Sequence, residues 1–436
     1  VINLGIGPFG ITGISMVAAP QTIEASGLAL CARARSAARL LANATTSQKN
    51  RWLELHAAAL EQQAPAILRA NRADMERSSR LSPAMLDRLR LDDSRLAGMA
   101  RALREIAKLP DPVGEIRTAE SRPNGLRVEK VGVPLGVILF IYESRPNVTS
   151  DAAGLCVKAG NAIILRGGNE ALESNRALAN AARDSLAQAG LPADAVQFVG
   201  TTDRELVGNL LGRGDAIDLV IPRGGEDLIR RVEAQARMPV LKHYHGNCHV
   251  YVESTADPAM ARRVVIDAKC QRPGTCNAAE KLVVDADWAR RHLGDLGAAL
   301  RERGVTLRAC PRSLPLLPSA TPAEDDDWDK EYLDMVMGVK VVDGIGEAVD
   351  WISAHGSGHS EAIISSSPEA IGRFVREVDA AAVLVNASTR LHDGGEMGLG
   401  AEIGISTGKF HARGPCGLRE LTSYKYVVRG NGQTRG

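Results

Sequence analysis

The chain has 436 residues, long enough for two or three lobes around a large apolar core. Its 53 Lys and Arg against 52 Asp and Glu leave a net charge of +1, so nothing in the balance attracts a nucleic-acid backbone. Aromatics are only 3% of the residues, which argues against recognition of bases or sugars by stacking, and no apolar run reaches the ~18 residues of a membrane span.

Residues 1–24 read as a disordered extension. They are apolar and Gly-rich, but the first basic residue is Arg33, so they lack the basic start of a secretory signal. The start at Val1 and the presence of Met16 point to an internal translation start. Residues 25–109 read as helical, with apolar residues at helical spacing in Trp52, Leu53, Leu55, Ala59 and Leu60 and again in Leu96, Met99, Leu103 and Ile106. Pro110-Asp111-Pro112 ends the last of these helices.

From Val131 short apolar runs alternate with helical stretches. Strands are expected over 137–142, 162–165, 196–199, 217–221 and 240–243, and helices over 151–159, 175–189, 203–211 and 226–236. Gly160 and Gly190 stand where C-terminal caps belong, and Ser174 where an N-cap belongs. After about Asn247 a second block predicts strands over 281–284, 306–308, 336–342, 362–365 and 383–386, with helices over 258–268, 287–303, 346–354 and 369–378. Strand–helix succession of this kind indicates α/β lobes built on parallel sheets. The tail ends Tyr424-Lys425-Tyr426-Val427-Val428, an exposed strand suited to pairing with another subunit.

Seven scattered cysteines, with no CxxC pair, suggest free thiols in a reducing compartment and no structural zinc. Cys276 is distinctive. It lies in Gln271-Arg272-Pro273-Gly274-Thr275-Cys276-Asn277, just before the apolar run Leu282-Val283-Val284. A loop followed by a strand can hold a thiol at the mouth of a cleft, where it is a nucleophile rather than a structural thiol. Cys270, at the end of a helical stretch, and Cys156, within one, read as packing residues.

Parallel sheets bind ligands at the carboxyl ends of their strands. The first such end reads Glu143-Ser144-Arg145-Pro146-Asn147-Val148-Thr149. Asn147 suits either an oxyanion donor or an Asx-type turn, with Thr149 or Ser150 capping the helix that follows. Arg166-Gly167-Gly168 and Arg223-Gly224-Gly225 let backbone approach a ribose or phosphate, or are plain turns; neither is the G-x-G-x-x-G fingerprint. The run from His243 to His249 could line a pocket or hold a metal, but no further ligand stands near it, so no metal is expected. The stretch from His355 to His359 is Gly-rich and reads as a loop lining the cleft.

Together, the Glu143 and Cys276 segments, the Arg166 turn, Asn386-Ala387-Ser388-Thr389-Arg390, Asp393-Gly394-Gly395-Glu396, Gly400-Ala401-Glu402-Ile403-Gly404 and His411-Ala412-Arg413-Gly414-Pro415 resemble the gamma-glutamyl phosphate reductases of the aldehyde dehydrogenase superfamily. The resemblance runs from about Ser26 to Arg429. It implies an α/β, aldehyde dehydrogenase-like fold: a cofactor-binding lobe (25–246), a catalytic lobe (247–403) and a C-terminal segment (404–436) that returns to the cofactor lobe and an oligomerisation flap. It implies NADPH-dependent reduction of L-glutamyl 5-phosphate to L-glutamate 5-semialdehyde in a cytoplasmic homo-oligomer, the second step of proline synthesis, with a glutamate 5-kinase as possible partner.

By position in the matched motifs, Cys276 falls at the nucleophile, Asn147 at the oxyanion amide, Arg166 beside the adenosine ribose and Glu331 at the nicotinamide ribose. Gly167 and Gly168 fall in a matched turn and are candidates for the cofactor, as are Gly224 and Gly225 by their place at a strand-to-helix junction. Arg145, Arg272 and Arg390 are candidates for the substrate's anionic groups, and Arg166 or Arg223 for the extra phosphate of NADPH. The thiolate needs nearby cations or helix N-termini, attacks the acyl phosphate and forms a thioester that accepts hydride. Where aldehyde-oxidising relatives carry Glu-Leu-Gly-Gly, this chain has His243-Tyr244-His245-Gly246-Asn247, with no glutamate to activate water. That departure speaks against a hydrolytic dehydrogenase, and Cys276 with Asn147 against a non-catalytic nucleotide-binding scaffold.

Overall fold

In the computed structural model, which describes residues 23–242 and 244–435, two parallel sheets carry the architecture. The first contains, in spatial order, Val196–Phe198, Ala162–Arg166, Val137–Tyr142 and Leu219–Arg223. Its central strand, Val-Ile-Leu-Phe-Ile-Tyr, is buried throughout, as a strand covered on both faces must be. Five helices, from Ile23–Leu41 to Asp93–Lys108, precede it. They bury Trp52, Leu53, Leu60, Met99 and Leu103 in one core with Phe140, Tyr142 and Leu165 of the sheet.

The first helix begins at Ile23, so the expected extension does not reach residue 24; residues 1–22 lie outside the described residues. Ser174 is not an N-cap. The helix starts at Leu172, and Asp74 of the helix Ala64–Arg77 accepts bonds from the Glu173 and Ser174 N–H groups and the Ser174 hydroxyl (3.2, 2.7 and 2.6 Å). A carboxylate from a neighbouring element thus satisfies the free donors of the first turn. Gly160 and Gly190 do follow their helices at φ +80° and +72°.

The second sheet has seven strands in the order Thr321–Pro322, Thr306–Ala309, Val336–Val342, Ala279–Asp285, Cys248–Val252, Ser360–Ile364 and Ala382–Val385. Cys248–Val252 is an internal strand for which the sequence predicted no element. The expected strand over 240–243 reduces to a bridge between Val240 and Val220, and His243 lies outside the described residues.

A third sheet, antiparallel, joins Ile116–Ser121, Arg127–Pro134 and Thr422–Arg429. The C-terminal strand therefore pairs within its own chain, and its other edge has no partner strand among the described residues. Between the sheets, Ile403, Ala412, Cys416, Leu418 and Leu421 return to the core of the first lobe. Among the described residues, no helix is long and apolar enough to cross a membrane.

Candidate active site

The order of the first sheet reverses between Val137–Tyr142 and Leu219–Arg223, where Glu143 N–H bonds the Arg223 carbonyl (3.2 Å). Ligands of open α/β sheets sit at such a switch point, beyond the carboxyl ends of the strands. The second sheet contributes from the opposite end. Gly246 and Cys276 precede the amino ends of Cys248–Val252 and Ala279–Asp285. Their main chains are in close contact, since a Cβ on Gly246 would lie 1.7 Å from the Cys276 carbonyl oxygen. Only glycine permits that approach.

Cys276 is half-buried. Burial pushes its thiol up to about 11, and Arg223 pulls the other way. The sequence reading required a site that favours the thiolate. In this structure burial outweighs the cation, and Glu331 and Glu402 add to the upward push. Arg145 lies within electrostatic reach of Cys276, Arg223 and Arg272. Among the described residues, the side chains of Arg145, Arg223 and Arg272 form no ion pair or hydrogen bond. Arg145 and Arg223 thus bring positive charge to the thiol, Arg272 stands beside Arg145, and Glu402 is within electrostatic reach of Arg223.

Local structure fixes each cation. Arg145 follows Ser144, which adopts φ +41°, a conformation costly for a residue with a side chain. Glu170 Oε1 holds it there, accepting from both the Ser144 N–H and hydroxyl at 2.7 Å. Gly168 leaves room for that carboxylate, because a Cβ there would lie 2.0 Å from Glu170 Oε1. Gly404, at φ +152°, does the same for Arg223, whose Nη1 would lie 2.7 Å from a Cβ.

Asn147 is the first residue of the helix Asn147–Lys158, two positions beyond Arg145. Its amide donates to Asp151 at 2.9 Å, and burial raises the Asp151 carboxyl to about 6. Thr149 and Ser150 are inside that helix rather than at its cap; the Thr149 hydroxyl lies 2.6 Å from the Tyr142 hydroxyl.

The candidate cofactor residues form a second group. Arg166 ends its strand and donates to the Gly167 carbonyl (2.6 Å) and to Asn169 (3.1 Å). The space beside Gly167 is taken by Asn175, as that beside Gly168 is by Glu170. Glu143 Oε2 lies where a Gly224 Cβ would be and accepts the Gly225 N–H at 3.1 Å, at the start of the helix Glu226–Gln235; the other side of Gly225 is open. Glu331 Oε1 accepts the Gly246 N–H at 2.7 Å. Lys281 braces the Glu331 segment, donating to the Lys330 carbonyl at 2.7 Å with its Nζ 4.5 Å from the Tyr332 ring centre.

The Arg390 guanidinium meets Gln271 and Asn277. His249 pairs with Glu361 at 3.1 Å inside the second sheet. Cys156 is buried in the first core, and Cys270 ends its helix against the second. Sequence reasoning placed Arg223 beside a cofactor phosphate, not beside the thiol. The signal available was its position, the last residue of a strand at the sheet's switch point.

The sequence model of the aldehyde dehydrogenase family matches residues 10–307. With two parallel sheets facing a loop cysteine, the chain belongs to that family, and it is an oxidoreductase. It is 54% identical over 406 residues to the gamma-glutamyl phosphate reductase of Rhodopirellula baltica, covering 93% of this chain and 94% of the relative. It is 53% identical over 405 residues to that of Moorella thermoacetica, covering 92% and 97%. The crystal structure of gamma-glutamyl phosphate reductase from Thermotoga maritima superimposes with a TM-score of 0.92 at 46% identity, covering 94% of this chain and all of that one. Within the aldehyde dehydrogenase family, the chain belongs to the gamma-glutamyl phosphate reductases.

Proposed function

We propose that this chain reduces L-glutamyl 5-phosphate to L-glutamate 5-semialdehyde and phosphate, using NADPH, in the route from glutamate to proline. The observation that carries the reading is the pair Arg145 and Arg223 within electrostatic reach of Cys276, with Arg272 beside Arg145 and none of the three in an ion pair among the described residues. An acyl phosphate with an α-carboxylate brings the negative charge this cluster lacks.

In the mechanism, Cys276 gives up its thiol proton and its sulfur attacks the acyl carbonyl, the C–O bond to phosphate breaks with the proton leaving on the phosphate, and a thioester forms. The Asn147 amide, anchored by Asp151, has its second N–H free for the oxyanion; losing one such donor costs about 10²–10³ in rate. The arginine cluster draws off the departing phosphate. Glu331 has one carboxylate oxygen left to accept a ribose hydroxyl, Arg166 offers a cation at the carboxyl end of an internal strand, and the open side of Gly225 admits a phosphate. NADPH bound to these residues would supply the hydride that reduces the thioester carbon, after which the C–S bond breaks to free the semialdehyde and return the Cys276 thiolate. Gly167, Gly168 and Gly224 serve that surface indirectly, by making room for Asn175, Glu170 and Glu143.

The lobes divide at 25–246 and 247–403, and the segment 404–436 returns to the first. The open edge of Thr422–Arg429, with Tyr424, Tyr426 and Val428 exposed, pairs with a second copy in a cytoplasmic homo-oligomer. A glutamate 5-kinase supplies the labile substrate. The test is complementation of a proline-requiring strain. Wild type restores growth and Cys276→Ser does not; growth with the serine variant equal to wild type refutes the reading.

A further inference from the structure

The segment 271–277 that presents Cys276 contains Pro273 and Gly274 and has no regular structure. Left alone, such a loop samples many conformations. Arg390 spans it. Its Nε donates to Gln271 Oε1 at 2.9 Å, where the loop begins, and its Nη1 to Asn277 Oδ1, where it ends. The guanidinium is planar and presents its donors at fixed angles, so holding two points sets the distance between them.

Asn277 is fastened further. Its Nδ2 donates to the His392 carbonyl at 3.0 Å, and the Thr275 hydroxyl lies 3.0 Å from its Oδ1. The Cys248 thiol donates to the Cys276 carbonyl at 3.2 Å. Arg390 itself comes from the short turn Thr389–Leu391, whose Ser388 hydroxyl accepts the Arg390 N–H at 3.2 Å.

We infer that Arg390 is a positioning residue, a strut between the two ends of the nucleophile loop. Two of its five N–H donors, one on Nε and one on Nη1, hold the two ends of the loop, so the loop itself sets the orientation of the fork. The strut sets where Cys276 Sγ stands relative to the arginine cluster and the Asn147 amide. The inference rests on Cys276 being the nucleophile.

The test measures semialdehyde oxidation with NADP⁺ and phosphate in Arg390→Gln, Arg390→Lys, Asn277→Ala and the double variant Arg390→Gln/Asn277→Ala. A displaced nucleophile costs about 10–10² in kcat, so each single variant loses roughly that factor while KM for phosphate and semialdehyde stays within about twofold. The double variant is no slower than the slower single, because both remove one strut. Arg390→Lys does not recover activity, since an ammonium on one flexible stem cannot reproduce the two-point fork. A KM for either substrate raised about tenfold at unchanged kcat, full activity in Arg390→Lys, or unchanged kinetics in Arg390→Gln each overturns the inference. If Arg390→Gln does not fold, Gln271→Leu, which frees one end, carries the same test. Full activity in Cys276→Ser would sink the functional reading itself; an inactive Cys276→Ser beside a normal Arg390→Gln would sink the strut alone.

Discussion

Charge and burial oppose each other at the nucleophile. With the Cys276 thiol near 11, almost all of it is protonated at neutral pH, and alkylation of the free enzyme should keep rising with pH beyond 9. Arg223→Gln removes the main cation opposing burial and should move that rise to still higher pH. Iodoacetamide kinetics with mass detection of the Cys276 peptide measure both; a plateau by pH 8 in the wild type contradicts the account. Asp151 gives a second residue-scale prediction. Burial raises its carboxyl to about 6 in the folded chain, so the stability this group contributes is full below its unfolded range near 4 and is lost as pH rises through 6. Asp151→Asn should therefore raise the Tm at pH 8, leave it little changed at pH 4, and lower kcat by loosening Asn147. A Tm that falls at pH 8 would show that the Asn147 bond outweighs desolvation.

The element holding Glu331 depends on a buried lysine. Lys281 is fully buried and is pushed down to about 8 by burial, against the pull of Glu280. Its folded value lies below the usual lysine range, so the folded chain carries the desolvation cost below pH 8 and sheds it as pH rises toward 10. Lys281→Met should remove that rise in stability between pH 8 and 10, measured by urea titration, and raise KM for NADPH by freeing the carbonyl before Glu331. An unchanged KM would separate Lys281 from the cofactor.

At the scale of elements, much of the fold was legible. Val137–Tyr142 and Val336–Val342 agree with their expected bounds because uniform apolar runs leave no doubt about burial. Cys248–Val252 was missed because its first two residues, Cys and His, belong to a polar run whose burial depends on Glu361 from another strand. The strand Ile116–Ser121 has five exposed residues and is held by pairing, not by an apolar face, so no periodicity announces it. At the site, Cys276 and Asn147 stood out through local loop chemistry, and Arg145, Arg272 and Arg390 through their place in the matched motifs. Arg223 beside the thiol, and Arg390 between Gln271 and Asn277, depend on contacts across the fold that no local pattern encodes.

At the scale of the whole molecule, Arg223, at the carboxyl end of a strand of the first sheet, acts on Cys276, which precedes the amino end of a strand of the second. The antiparallel sheet stands apart, with Tyr424, Tyr426 and Val428 exposed along its outer strand and Lys130 close to both tyrosine rings (4.8 and 5.6 Å). If that edge joins copies of the chain, Tyr426→Asp with Val428→Asp should lower the sedimentation coefficient to that of a monomer without unfolding the catalytic lobes. A wild-type chain that sediments as a monomer at micromolar concentration would contradict this.

The most direct test of the central claim is to look for the acyl group on the sulfur. Enzyme mixed with L-glutamate 5-semialdehyde and NADP⁺ without phosphate, then quenched in acid, should release about one NADPH per active site in a burst. The Cys276 peptide should carry the added acyl mass, and Cys276→Ser should give neither burst nor adduct. Full turnover by wild type with no burst and no mass on that peptide would contradict the account.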